Sequence, residues 1–128
     1  MQALKTYLVE DSPLIRQDLV ATLEELGDVQ VVGWASSESA AVGWLADPAH
    51  SPGLVIVDIF LEGGSGLGVL RAMHGRAHPL RTVVLSNYAT PEVRQRCLEL
   101  GVERVFDKSG DIEDLLCYCR ATAARLPS

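Results

Sequence analysis

The sequence predicts an α/β domain with one parallel five-stranded sheet and helices packed on both of its faces. Two observations lead there: short apolar runs alternate with segments of helical periodicity along the whole chain, and helix-capping residues follow most of the runs. The length of 128 residues suits a single domain, and we expect one domain over residues 1–128.

The expected strands are rich in β-branched and large apolar residues. In chain order they are 6–9, 29–34, 54–57, 82–85 and a short strand centred on 105–106. The run 54–57 is apolar without alternation, which is typical of a parallel strand covered on both faces.

Capping residues begin three of the expected helices, and glycine or proline ends three of them. The helices cover 13–26, 37–45 and 67–73, then a segment after Thr90-Pro91 and one after Asp111. In the first, Ser12 is the N-cap, Pro13 opens the helix and Gly27 ends it.

Composition excludes several function classes. A net charge of −6 argues against non-specific binding to nucleic acid or to an anionic membrane. The apolar runs are far shorter than the roughly 20 residues of a membrane span. Three cysteines, an odd number, and an N-terminus without a signal-peptide profile indicate a reducing, cytoplasmic setting.

Reactive side chains follow four of the five predicted strands. Glu10 and Asp11 follow the first, Asp58 the third, Ser86 the fourth and Lys108 the fifth. Ligands of open α/β sheets bind at the carboxyl ends of the strands, so we expect these side chains at one edge. The second strand delivers no such group, which fits an outer position in the flavodoxin-like order 2-1-3-4-5.

The chemistry of these side chains indicates phosphoryl transfer. Three carboxylates in one pocket need a counter-charge, and oxygen ligands favour a hard ion such as Mg²⁺. Lys108 suits a phosphate oxygen, and the Ser86 hydroxyl can donate to one. Each residue alone has a plainer interpretation, as a turn former or surface charge, and only the joint placement carries weight.

With these residues in place, the sequence resembles the receiver domain of two-component response regulators over essentially its whole length. The matching pieces are Val9-Glu10-Asp11-Ser12, Val57-Asp58-Ile59-Phe60-Leu61 with Gly66, Leu85-Ser86, and Gly101 through Lys108-Ser109.

The resemblance implies a role for each matched residue. Asp58 would accept a phosphoryl group from a phosphohistidine, while Ser86 and Lys108 would contact that group. The metal ligands for Mg²⁺, or Mn²⁺, would be Glu10, Asp11, Asp58 and the backbone carbonyl of Phe60.

The resemblance also implies partners rather than an enzyme acting on external substrates. They are a sensor histidine kinase or phosphotransfer protein and an unknown downstream protein, with a homodimer formed on phosphorylation as a further candidate. The signal is expected to leave through the fourth helix, fifth strand and fifth helix. We expect neither direct nucleic-acid binding by this domain nor membrane association.

The sequence departs from the family pattern at Glu62, Asn87, Val105 and Ser109, and two aromatic residues extend that pattern. Val105 stands where the family usually has an aromatic switch residue three positions before the lysine. Phe60 and Tyr88 lie two residues after Asp58 and Ser86, where their rings are expected to shield an aspartyl phosphate from water.

Three other interpretations stay open. The Gly63-Gly64-Ser65-Gly66-Leu67-Gly68 run invites a nucleotide or flavin site, but such a loop should follow the first strand. A degenerate receiver would bind proteins without being phosphorylated. A metal-dependent phosphatase would normally want an acid where Phe60 stands.

Overall fold

The structure, a computed structural model, describes residues 2–76, 80–87 and 89–126. Strands and helices alternate throughout these ranges. The strands are β1 Leu4–Val9, β2 Val29–Ala35, β3 Leu54–Val57, β4 Thr82–Ser86 and β5 Arg104–Asp107. The helices are α1 Pro13–Leu26, α2 Glu38–Ala46, α3 Gly66–His74, α4 Pro91–Glu99 and α5 Ile112–Ala124.

The strands form one sheet in the order β2-β1-β3-β4-β5, and every neighbouring pair is parallel. The predicted fold class and strand order are therefore confirmed. The central strand β3 is buried at all four positions, because helices cover both of its faces.

Apolar side chains form a separate core on each face of the sheet. Tyr7 and Val9 point into the core covered by α2, α3 and α4, whereas Leu8 points into the core covered by α1 and α5. The same alternation separates Val105 from Phe106, as their adjacent positions in a strand predict.

Side-chain caps begin four of the helices. The hydroxyl oxygens of Ser12, Ser37, Ser65 and Thr90 each accept a hydrogen bond from a backbone N–H in the first turn. Asp111 differs: it precedes α5, but its carboxylate accepts from Asp107 N at 2.8 Å instead of capping the helix. The predicted start of α5 is thus right, but the side-chain cap expected from Asp111 is wrong.

No helix within the described residues combines the length and the apolar character needed to cross a membrane.

Candidate functional site

The acidic pair after β1 is held by backbone groups of three segments. Glu10 N donates to Ala35 O of β2 at 3.0 Å, which keeps Glu10 in line with the sheet. Its carboxylate is buried and accepts from Ser12 N at 3.1 Å. The neighbouring Asp11 carboxylate is half-buried and accepts from Glu62 N at 2.8 Å. Glu10 therefore faces the pocket interior and Asp11 its rim.

Asp58 lies directly after β3 and is 6% exposed. Its backbone N donates to Val9 O at 3.0 Å, so the residue stays beside the end of β1. One carboxylate oxygen, Oδ1, accepts from Phe60 N at 3.1 Å, and the other, Oδ2, accepts from Lys108 Nζ at 2.8 Å. Both oxygens of Asp58 are thereby oriented by hydrogen bonds.

Lys108 joins the two buried carboxylates. Its backbone N donates to Ser86 O at 2.9 Å, which continues the pairing of β4 with β5. Its ammonium lies 2.5 Å from Glu10 Oε1 and 2.8 Å from Asp58 Oδ2, and its side chain is only 11% exposed. The Lys108 ammonium group thus contacts two carboxylates, Glu10 and Asp58, that follow different strands.

Burial and pairing act in opposite directions on the charges of this pocket. Burial raises the pKa of Glu10, and its bonds to Lys108 and Ser12 oppose that effect only in part. For Lys108, burial alone would lower the pKa, but the bonds to Asp58 and Glu10 outweigh it, so the pKa is raised. The lysine is therefore protonated at neutral pH.

The carboxylates of Glu10, Asp11 and Asp58 come close enough to share one cation. Each offers an oxygen, and these oxygens lie within 4.8 Å of one another. An all-oxygen, negatively charged donor set fits a hard divalent ion such as Mg²⁺ and suits zinc poorly.

These side chains line an open cleft of about 120 Å³ at the carboxyl edge of the sheet. The Phe60 side chain, 49% exposed, forms part of its wall. Ser86 is fully buried at the end of β4. Tyr88, the second ring of the expected water shield, lies outside the described residues.

A contact between Arg94 and the backbone carbonyl of Val105 was not predicted from the sequence. The Arg94 guanidinium of α4 donates to Ala89 O at 3.1 Å and to Val105 O at 2.9 Å, and it approaches Asp111 at 3.7 Å. Arg94 thus ties the β4–α4 loop to β5 and to the start of α5. The sequence carries no signal that distinguishes Arg94 from Arg96, the exposed arginine on the same helix.

The family model of the response regulator receiver domain matches residues 6–120. The chain belongs to this family. It is a receiver domain of two-component response regulators, in which phosphorylation and Mg²⁺ binding are typical.

The curated relatives are named for different activities and match this chain over only part of their length. The chain is 32% identical over 88 residues to the DNA-binding transcriptional activator DevR/DosR of Mycobacterium tuberculosis, covering 69% of this chain and 40% of that protein. It is 33% identical over 106 residues to a protein-glutamate methylesterase/protein-glutamine glutaminase of Anaeromyxobacter dehalogenans, covering 81% and 28%. The receiver thus spans less than half of either relative.

Solved structures show the same fold. The signal receiver domain of the putative response regulator NarL from Mycobacterium tuberculosis superposes with a TM-score of 0.83 at 24% identity, covering 98% of this chain and all of that one. The response regulator domain of Thermotoga maritima CheB gives 0.83 at 20% identity, with the same coverage.

Proposed function

We propose that this receiver accepts a phosphoryl group on Asp58 from the phosphohistidine of a sensor histidine kinase or a phosphotransfer protein. The observation that carries the proposal is the contact of Lys108 Nζ with both Asp58 Oδ2 and Glu10 Oε1, at 2.8 and 2.5 Å, in an open cleft. The chain acts here as the acceptor of a phosphotransfer and not as an enzyme on external substrates. We place it in the cytoplasm, the usual setting of its family.

The pocket residues have different roles in the phosphoryl transfer. An Asp58 carboxylate oxygen bonds to phosphorus while the P–N bond to the donor imidazole breaks, and the imidazole takes the bonding electron pair. Lys108 neutralises charge on the phosphoryl oxygens, and the Ser86 hydroxyl donates to one of them.

A divalent cation completes this set of charges. Glu10, Asp11, Asp58 and the Phe60 carbonyl would hold Mg²⁺ or Mn²⁺, which when bound neutralises phosphoryl charge. Glu10 and Asp11 would keep the cation beside Asp58, because backbone N–H groups already orient both carboxylates.

The test is labelling of the purified chain with acetyl phosphate in Mg²⁺, followed by intact mass. Wild type should gain one phosphoryl group, and Asp58→Asn or chelation of Mg²⁺ should abolish the gain. Asp47→Asn is the matched control, because Asp47 is an exposed aspartate at the end of α2 that does not line the cleft. An unlabelled wild type would favour instead a degenerate receiver that only binds proteins.

Phe60 is proposed to slow the hydrolysis of the aspartyl phosphate. Its exposed ring lies at the cleft that attacking water must enter. Phe60→Asn should shorten the phosphoryl half-life, measured by loss of label after the phosphodonor is removed. If the half-life stays unchanged in Phe60→Asn and also in the double variant with Tyr88→Glu, the Phe60 and Tyr88 rings only cover the loop surface.

The signal is proposed to leave through α4, β5 and α5 toward a downstream protein. Ser86 and Lys108 end β4 and begin the loop after β5, and Arg94 connects the segments that follow them. Phosphorylation then needs only to bias a two-state arrangement of this face. Dimerisation through it is tested by sedimentation with and without beryllofluoride, a phosphomimetic used with a solved relative.

We further propose that residues 1–128 form one receiver domain. The family match over 6–120 leaves only short terminal segments outside it. Limited proteolysis should leave a single resistant core that includes β1 and α5.

A further inference from the structure

The glycine-rich run after β3 holds a carboxylate of the protein itself. Ser65 N donates to Glu38 Oε1 at 2.8 Å, and Glu38 N donates to Gly63 O at 2.9 Å. Ser37 also pairs with Gly63 in a parallel bridge. The start of α2 is therefore joined to the β3–α3 loop by a short piece of strand pairing and by one side chain.

Two glycines make room for that side chain. A Cβ at position 64 would lie 2.6 Å from the Glu38 Cβ, and one at position 68 would lie 2.3 Å from its carboxyl carbon. Atoms that are not bonded cannot approach so closely, so any other residue at either position would displace Glu38. The run is thus shaped around a glutamate rather than around a nucleotide phosphate.

A carboxylate is well suited to this place. Ser65 is the N-cap of α3, so Glu38 faces the N-terminus of that helix, where unpaired N–H groups and the helix dipole favour negative charge. The contact joins α2 and α3 through electrostatics as well as packing.

The loop that Glu38 holds also carries groups of the acidic pocket. Ser65 pairs with Phe60 in an antiparallel bridge, and the Phe60 carbonyl is the proposed fourth metal ligand. Further along the same loop, Glu62 N donates to the Asp11 carboxylate at 2.8 Å. A short path of contacts therefore runs from Glu38 through Ser65 to the pocket.

We propose that Glu38 is a positioning residue of the metal site: seated against Gly64 and Gly68, it holds the β3–α3 loop so that Phe60 and Asp11 face a divalent cation. This inference rests on the metal site of the proposed function. It assigns the glycine-rich run a purpose in that site.

The primary test is Mg²⁺ affinity, measured by calorimetric titration of the full chain. Glu38→Ala should weaken binding roughly ten-fold, the lower end of what removal of groups that orient metal ligands costs. Glu38→Gln should stay within about two-fold of wild type, because its amide oxygen still accepts from Ser65 N. Glu24→Ala is the matched control: Glu24 accepts from Val31 N at 3.0 Å in the same manner, but it lies on α1.

Gly68→Ala tests the same contact from the other side. The three atoms nearest to the added methyl all belong to the Glu38 carboxylate, so the methyl should expel that carboxylate and reproduce the ten-fold loss. In a Glu38→Ala background the methyl meets no carboxylate, and Gly68→Ala should then change Mg²⁺ affinity by less than two-fold.

Two outcomes would overturn the inference and can be told apart. If a folded Glu38→Ala variant binds Mg²⁺ as wild type does, the positioning role of Glu38 is refuted and the metal site is not. Gly68→Ala decides the same question if Glu38→Ala does not fold. A wild type that binds no Mg²⁺ would remove the metal site and this inference together.

Discussion

At the scale of single residues, the pocket depends on one ammonium group. Lys108 contacts two carboxylates, Glu10 and Asp58, that are themselves almost fully buried. Burying each carboxylate costs free energy because the carboxylate loses its contact with water, and the ammonium group offsets that cost. Without the ammonium group, two negative charges would stay buried with no counter-ion.

Lys108→Ala should therefore lower the free energy of unfolding by about 2–4 kcal/mol, because two buried like charges lose their counter-ion. Urea unfolding at neutral pH, with a chelator present so that no divalent cation substitutes, measures the loss. Lys5→Ala, at an exposed position of β1, should change stability by no more than about 0.5 kcal/mol. Equal midpoints for the two variants would show that Lys108 is not the counter-ion of the fold.

At the scale of elements, Gly66 shows why a glycine stands eight residues after Asp58. A Cβ on Gly66 would lie 2.1 Å from the carbonyl oxygen of Asp58 and 2.6 Å from the Cα of Ile59. Both atoms belong to the backbone and cannot rotate away. The start of α3 therefore packs directly on the backbone of Asp58 and Ile59.

Gly66→Ala should lower stability by about 1–3 kcal/mol, as overpacking against backbone does. Gly43→Ala is the matched control, because Gly43 lies within α2 with no atom within 4 Å of an added Cβ. That control should raise stability by about 0.5–1 kcal/mol through helix propensity. Urea midpoints decide the pair, and losses of similar size in both variants would contradict the close contact.

Arg94 hydrogen-bonds the helix α4 to the β4–α4 loop and to β5. Arg94→Ala should lower stability by about 1–2 kcal/mol through loss of the bonds to the Ala89 and Val105 carbonyls. The contact with Asp111 adds little, since it is 3.7 Å long and partly exposed. Arg94→Lys should recover only part of the loss, because an ammonium lacks the planar fork that reaches both carbonyls.

Urea unfolding and hydrogen exchange of α4 amides would measure this effect. Arg96→Ala, an exposed arginine one half-turn along the same helix, is the control and should be close to neutral. Faster exchange in α4 for both variants alike would mean that helix propensity, and not the tie to β5, controls its stability.

At the scale of the whole molecule, each side of the sheet carries a tyrosine with a raised pKa, Tyr7 buried and Tyr118 partly buried. Burial raises the pKa of Tyr7, in the core under α2, α3 and α4, to about 12. On the opposite face, burial and then the hydrogen bond to Glu103 raise the pKa of Tyr118 to about 12. Both side chains have an ordinary pKa of 10.0.

Between pH 10 and pH 12 the unfolded chain loses phenolic protons that the folded chain keeps. These tyrosines therefore stabilise the fold fully below pH 10, and their contribution is lost as pH rises toward 12. Tyrosinate absorbance should show late ionisation in the folded protein and an ordinary titration in urea. Tyr118→Phe should remove one late-titrating group, and an unchanged titration curve would refute the assignment to Tyr118.

Much of this architecture was readable from the sequence because it depends on local patterns. Apolar runs such as 54–57 and caps such as Ser12 placed the strands and helices, and the expected strand order is the observed one. Strands that run parallel end at one edge, which is why Glu10, Asp58 and Lys108 were expected together before any distance was known.

What only the tertiary structure decided are contacts between elements that are remote along the chain. Three contacts depend on how helices and loops pack. They are the bonds of Lys108 to Glu10 and Asp58, the bond of Arg94 to Val105, and the position of Glu38 in the glycine-rich run. Periodicity and capping report which face of an element is buried. They carry no information on which charged side chain of one element meets which backbone group of another, since that is set by the relative placement of both.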